Sequence, residues 1–354
     1  MFVWNRRLPW LLAPLLASQV GCVGYIAVQG VHQLKLLAGR EPIDELLAAG
    51  DLDPTVRQKL ELIVDLQRFA EASLGMKPAG TYTTANLGFT EPIYNVSACE
   101  PLAFHAHTWW FPVVGKVPYK GFFREKDALR QRDALLDDGL DVVMREVGAY
   151  STLGFFNDPV LPGMLDYSEL GLVDLIFHEL AHGVLYFPGK VEFNESFASF
   201  VGKWGSFDYL DARAGAGLPP REEAERRYDD QRRHQAFMVD LYARLDAVYT
   251  GAGSDEDKRG AKASILAEAQ EAYWSVPFES HAYQGRQLGE INNADLMSFQ
   301  RYHSGEEGFH DLFTALGGEW PKFFQVVSDL DDAEDPFQAV VDAASKARNP
   351  PPSP

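Results

Sequence analysis

At 354 residues the chain is long enough for one large domain or two ordinary ones. Its 46% hydrophobic and 23% charged content is that of a folded globular protein and excludes a disordered one. A formal net charge of −19 argues against a nucleic-acid or anionic-lipid surface, and the 51 acidic side chains, spread along the chain, read as a solvated, self-repelling exterior.

The first residues read as an export signal. Arg6 and Arg7 precede a mostly apolar run over residues 8–20, too short to cross a bilayer comfortably. The run ends at Gly21-Cys22, which resembles the cleavage and lipidation site of a bacterial lipoprotein, although Gln19 stands where that pattern prefers Leu. The alternative is an uncleaved anchor extending through Val28. Either way the body is expected outside the cytoplasm, at the bacterial cell envelope, and lipidation at Cys22 would leave it anchored and facing the periplasm. Cys99 is the second and last cysteine, so a lipidated Cys22 leaves no intramolecular disulfide, and stability must come from the core.

Residues 31–75 predict helices, one opened by Pro42 and another by Asp53-Pro54, with Leu60, Ile63, Val64, Leu66 and Phe69 as apolar positions. Between residues 80 and 123 the composition shifts to Thr, Tyr, Phe, Trp and Val. Strands are expected at 93–97, 103–111 and 117–123, with Trp109-Trp110-Phe111 as sheet core. A charged helix at 125–138 and a strand at 141–147 follow. Beyond a loop with Pro and Gly the chain reads as helical, including a long solvated helix at 220–247 that turns Phe237, Leu241 and Leu245 inward. An exposed excursion is expected at 251–258 and a frayed tail from Asn349. The fold class is α+β, a mixed sheet followed by a helical half.

His178-Glu179-Leu180-Ala181-His182 has the H-E-x-x-H form. Residues four apart lie about 40° apart around a helix, so both imidazoles can reach one metal ion. Glu179, about 100° from His178, sits beside that ion, placed to take a proton from an attacking water. Asp166 and Glu169 have capping-box spacing ahead of the helix, and Pro188-Gly189 would end it. An accidental match arises on the order of once in a hundred such chains, and two ligands do not make a catalytic site. Glu195 supplies a third. It lies thirteen residues after His182 on a second expected helix, 193–204, beyond a short connection that favours antiparallel neighbours. With Phe193, Phe197, Ala198 and Val201 around it, Glu195 is expected buried, where a metal gives a carboxylate its partner. The donors His178, His182 and Glu195 form a His2Glu set suited to one Zn2+. His105 and His107 share a face of an expected strand but have no third ligand nearby, and His234, His281 and His310 show no ligand spacing.

Asn194-Glu195 after H-E-x-x-H resembles the glutamate-zincin metallopeptidases. Thermolysin-like members carry Asp four residues after the ligand glutamate, where this chain has Ser199, so support for a ligand histidine must come from elsewhere; Asp174, one turn before His178, is the candidate. A broader resemblance runs through Gly24-Tyr25, Pro42-Ile43, residues 108–112, 119–123 and 149–154, the two metal segments, Asn292-Asn293-Ala294 and Tyr302. These look like a bacterial family named for zinc aminopeptidase activity and often of lipoprotein type. Many of its members carry cysteines where this chain has Trp110 and Lys116, so any disulfide there is dispensable.

The resemblance implies a zincin-like fold, with the sheet packed on a metal-binding helix pair, and zinc-dependent hydrolysis of peptide substrates. It implies Tyr302, with His303 as its neighbour, as the donor to the developing oxyanion. In such folds a strand before the metal helix pairs with extended substrate, and residues 150–154 fall there. No carboxylate motif for gripping a free amine is evident, so an endopeptidase, or a non-catalytic zinc-stabilised envelope lipoprotein, stays open at this point. The expected organisation is a signal and lipidation site at 1–22, a helical segment at 23–79, a zincin-like catalytic region at 80–205, a helical region at 206–346 and a tail at 347–354. No nucleic-acid partner is expected, and nothing in the sequence indicates the oligomeric state.

Overall fold

The computed structural model describes residues 31–32, 34–76, 80–111, 115–147, 158–280, 282–300 and 305–349, the side chains at 298–300 excepted. Cys22, residues 150–154, His281, Tyr302 and His303 lie outside the described residues, as do the apolar run at 8–20 and most of the tail. No described helix is long and apolar enough to cross a membrane.

A two-residue strand β1 (Glu41–Pro42) leads into α1 (Ile43–Ala49) and then α2 (Pro54–Ala72). Asp53 caps α2, accepting from the amides of Thr55 at 2.8 Å and Val56 at 3.3 Å, with Pro54 in the first turn where its missing N–H costs nothing. Leu60, Ile63, Leu66 and Phe69 are buried along one face. Strand β2 (Thr84–Ala85) pairs antiparallel with β1.

The main sheet has three strands, β6 (Lys120–Phe122), β3 (Ile93–Cys99) and β7 (Asp141–Val147), with β3 in the middle and antiparallel to both neighbours. Helix α3 (Glu125–Asp137) crosses from β6 to β7, so those two strands run the same way but never touch. The mixed sheet expected from composition is therefore not what forms among the described residues, where parallel contact is limited to a single bridge between Ala85 and Val160. Ile93 and Val147, at the paired ends of β3 and β7, join the larger core that holds the H-E-x-x-H helix, while the rest of the sheet packs mainly on α3. Val96, Ala98, Phe122 and Val142 pack with Ala128 and Leu135 of α3 in a small cluster of their own.

Strands β4 (Trp109–Phe111) and β5 (Gly115–Val117) form a separate two-stranded pair, with Trp110 directly opposite Lys116. Those are the two positions where the resembling family carries cysteines, and here the pair forms without a bridge. Trp110 is 66% exposed, not sheet core: a two-stranded ribbon has no second layer to cover its outer face, and strand alternation turns Trp110 to that face. Cys99 is a free, buried thiol, its pKa pushed up to about 12 by burial and then by the charge of Asp141.

The larger core is helical. A short α4 (Pro162–Leu165) precedes α5 (Glu169–His182) and α6 (Val191–Ala212). Helix α6 is buried nearly all round at residues 193–202, as expected of a helix surrounded by protein. Phe193, Phe197 and Phe200 meet Phe309 of α10 (Glu306–Ala315), and Phe197 stacks on Phe323 of α11 (Trp320–Ser328) at 6.0 Å between ring centres. Helix α12 (Pro336–Arg348) closes this layer. The long α7 (Arg221–Thr250) and α8 (Asp255–Tyr273) form a hairpin, with Leu241 and Leu245 buried as the sequence pattern indicates. The expected excursion at 251–258 shrinks to an exposed turn, because Ser254 and Asp257 form a capping box that starts α8.

Helix α9 (Asn293–Gln300) ties these parts together. Asn292 donates its side-chain amide to the Val142 carbonyl at 3.0 Å, and Asn293 donates to the Glu100 carbonyl at 2.9 Å. Tyr249 donates to Asn293 at 2.8 Å, and Arg145 pairs with Asp295 at 2.6 Å. The Asn-Asn segment thus joins the sheet, the α7–α8 hairpin and α9 at one buried point.

Candidate metal centre

Helix α5 carries the H-E-x-x-H residues in its last turns. Ser168, not Asp166, caps it, accepting from the Gly171 amide at 3.2 Å; Asp166 instead ends α4. The helix stops at His182, well before Pro188-Gly189, and Gly189 takes a left-handed φ of 76° within the turn to α6. Asn194 clamps that turn at both ends of one residue: it accepts from the Phe187 amide at 2.8 Å and donates to the Phe187 carbonyl at 2.9 Å. The clamp fixes the rotation of the first turn of α6, and with it the direction of the next residue, Glu195.

The two helices then run against each other at very short range. A Cβ built on Gly202 would sit 2.8 Å from Asp174 Oδ1, 2.9 Å from the Asp174 carbonyl and 3.3 Å from His178 Cβ. A Cβ on Gly205, one turn on, would meet Phe177 at 3.3 Å. Two glycines three apart inside an apolar helix were the available sequence signal for this close approach, and only the packing reveals its purpose.

The result brings His178, His182 and Glu195 into one group whose donor atoms all lie within 4.8 Å of one another. Glu195 Oε2 is 3.5 Å from His178 Nε2 and 3.8 Å from His182 Nε2. Ligands about 2.05 Å from a tetrahedral ion stand about 3.3 Å apart, so the Glu195 oxygen needs to draw in by only about 0.2–0.5 Å toward each histidine nitrogen. The residues therefore fit a divalent metal ion of the kind that imidazole and carboxylate bind. His182 and Glu195 are buried and His178 is nearly so.

The electrostatics agree. Burial works against a positive His178, but Glu195, Glu179 and Asp174 outweigh it and push its pKa up to about 9. At His182 burial prevails and the pKa falls. Three carboxylates around two imidazoles thus favour positive charge at this point, which a metal ion provides.

Asp174 lies beside His178, and both line a cavity of about 60 Å³ with Ser199, Lys203, Tyr228 and Glu306. Ser199 lines this cavity from α6, and Asp174 of α5 is the carboxylate there whose charge acts on His178. A larger cavity of about 610 Å³, lined by Lys116, Lys190, Phe193 and Phe337 among others, includes none of the three metal-group residues. His105 stands near Glu100 at 3.5 Å, His107 packs against Trp109, His234 contacts Tyr273 and His310 lies on Trp204; none joins a metal-type cluster among the described residues.

A model of the family described as "Putative aminopeptidase" matches residues 24–339, nearly the whole chain. The chain belongs to that family, which supports peptidase activity. No curated protein matches, and no solved structure does.

Proposed function

We propose that the chain is a zinc-dependent peptidase, working as an aminopeptidase anchored at the bacterial envelope through Cys22. The observation that carries the metal part is the convergence of His178, His182 and Glu195, whose donor atoms lie within 4.8 Å of one another with Glu195 at 3.5 and 3.8 Å from the two imidazoles. When bound, zinc supplies Lewis acidity, lowering the pKa of a water to about 7 and polarising a peptide carbonyl.

The chain's own residues do the rest. The two histidines and Glu195 hold the ion, and Asn194 holds Glu195. Glu179 takes the proton of the attacking water and returns it to the leaving amine. One of its oxygens, Oε2, is buried without a hydrogen-bond partner. Tyr302 is the proposed donor to the oxyanion, supported by its place after the metal helices and by the resemblance. The anchor rests on Arg6, Arg7, the apolar run and Gly21-Cys22. Exopeptidase action rests on the family to which the chain belongs.

Digestion of a peptide library by the mature protein, with and without chelator, tests the whole reading. Cleavage confined to free N-termini and abolished by chelator is expected; internal cuts would make it an endopeptidase. Glu179→Gln should keep stoichiometric zinc and lose on the order of 10²–10⁴ in turnover. Unaltered turnover in that variant would sink the mechanism.

A further inference from the structure

Tyr82 stands out twice. It is the one non-glycine among the described residues with a positive φ, 59°, and its side chain is fully buried. An L residue rarely occupies that region, and a bulky one does so only where its surroundings hold it. Here they do. The Tyr82 amide donates to the Asp158 carbonyl at 2.8 Å, and Gln67 of α2 donates to the Thr81 carbonyl at 3.0 Å. The Thr83 carbonyl accepts from the Ile43 amide at 3.1 Å, and the Thr84 carbonyl from the Val160 amide at 2.8 Å. Backbone ties to three separate segments fix the residue where it is.

The ring end shows what this rigidity positions. The Tyr82 hydroxyl is buried with no hydrogen bond of ordinary length and angle, and the same is true of Glu179 Oε2. The Glu179 carboxylate lies within hydrogen-bonding reach of the phenol. Burial first, and then the charge of the Glu179 carboxylate, raise the phenol well above its ordinary pKa, so it stays neutral and can only donate toward that carboxylate. Tyr167 also senses the charge of Glu179, but it is 39% exposed and solvent can satisfy it. A tyrosine that merely filled the core would do so better as phenylalanine, without an unsatisfied hydroxyl.

We infer that Tyr82 is a positioning residue for Glu179: its phenol donates a hydrogen bond to the carboxylate oxygen turned away from the metal group and fixes the other oxygen for proton transfer. The inference rests on the peptidase reading for its catalytic consequence, but not for the contact itself. A phenol-to-carboxylate bond inside a protein is short and charge-assisted, so it restricts the carboxylate more than a neutral bond would.

The test is Tyr82→Phe in the full, zinc-loaded protein. The expected result is a kcat lower by roughly 10–100-fold, with KM and zinc stoichiometry unchanged. A crystal structure of the zinc-loaded native protein should place the Tyr82 hydroxyl about 2.5–2.7 Å from Glu179, with the carboxylate rotated in the variant. Full kcat in the variant would overturn the inference, as would a loss explained entirely by lost zinc, or a native structure in which the two groups do not touch. If the native protein cleaves no peptide, the peptidase reading fails, while the distance in the crystal still decides on the pair. The same distance decides should the variant not fold.

Discussion

The metal group and the Asn292–Asp295 junction are built from the same materials, buried polar side chains on helices, yet they differ in reach. The metal group draws its donors from residues 178–195, two helices joined by one turn. The junction joins Asn292 to Val142, Asn293 to Glu100 and Asp295 to Arg145, pairs 150 or more positions apart. The donors of the first converge on a point between themselves and leave coordination to be completed. Those of the second are spent on backbone carbonyls and a guanidinium, and nothing is left over for chemistry. Buried polarity therefore marks a reactive site only where the groups point at a common point instead of at each other.

Substitutions should separate the two regions cleanly. Glu195→Ala has the largest expected effect: zinc no longer binds in stoichiometric amount and hydrolysis falls to background, while circular dichroism and melting of the metal-free protein change little. Zinc analysis and chelator-controlled assays check this. Asn293→Ala should do the reverse. It strands the Tyr249 hydroxyl and the Glu100 carbonyl, costing about 1–3 kcal/mol of stability by denaturant titration, with zinc content and turnover per folded molecule preserved. A loss of zinc in that variant would break the comparison.

Gly202→Ala sharpens it from the other side. Helix propensity favours alanine by about 1 kcal/mol, but forcing a methyl within 3 Å of the Asp174 carbonyl costs about 1–3 kcal/mol. The net loss is small, yet the displacement falls on Asp174 and His178, so zinc affinity should drop more than stability does.

The smallest expected effect is a pH dependence confined to the helical half. Asp230 is fully buried. Burial alone would raise its pKa, but Ser280, whose amide donates at 2.6 Å, the Glu279 amide and Arg233 outweigh it and hold the carboxyl below the usual range. The folded state therefore prefers the anion. Its contribution is complete above the unfolded value of about 3.9 and drains away as pH falls through the lower folded value. Asp230→Asn should flatten the acid limb of a melting-temperature profile below about pH 4 and leave the neutral plateau lower.

How much of this was legible follows from distance along the chain. Helical periodicity placed His178 and His182 on one face, and a short connection bearing Pro188-Gly189 brought Glu195 back to them, all within local rules. The Asp53 cap, the charged α3 and the inward Leu241 and Leu245 were local too. The helix boundaries were not: Ser168 displaced Asp166 as cap, α5 ended at His182, and the turn beyond it is held by the Asn194 clamp on Phe187. Trp110 read as core because aromatic composition says nothing about whether a second layer exists to cover it.

The sequence by itself determined the helix pair and the grouping of His178, His182 and Glu195 on it, since period, spacing and composition act over a few turns of chain. Only the tertiary structure decided that the strands pair antiparallel on α3, that Gly202 admits α5 and α6 to close contact, and that the buried Tyr82 comes within reach of Glu179. Those depend on which distant segments share a place, and that is settled by the packing of the whole core at once, not by any stretch of residues alone.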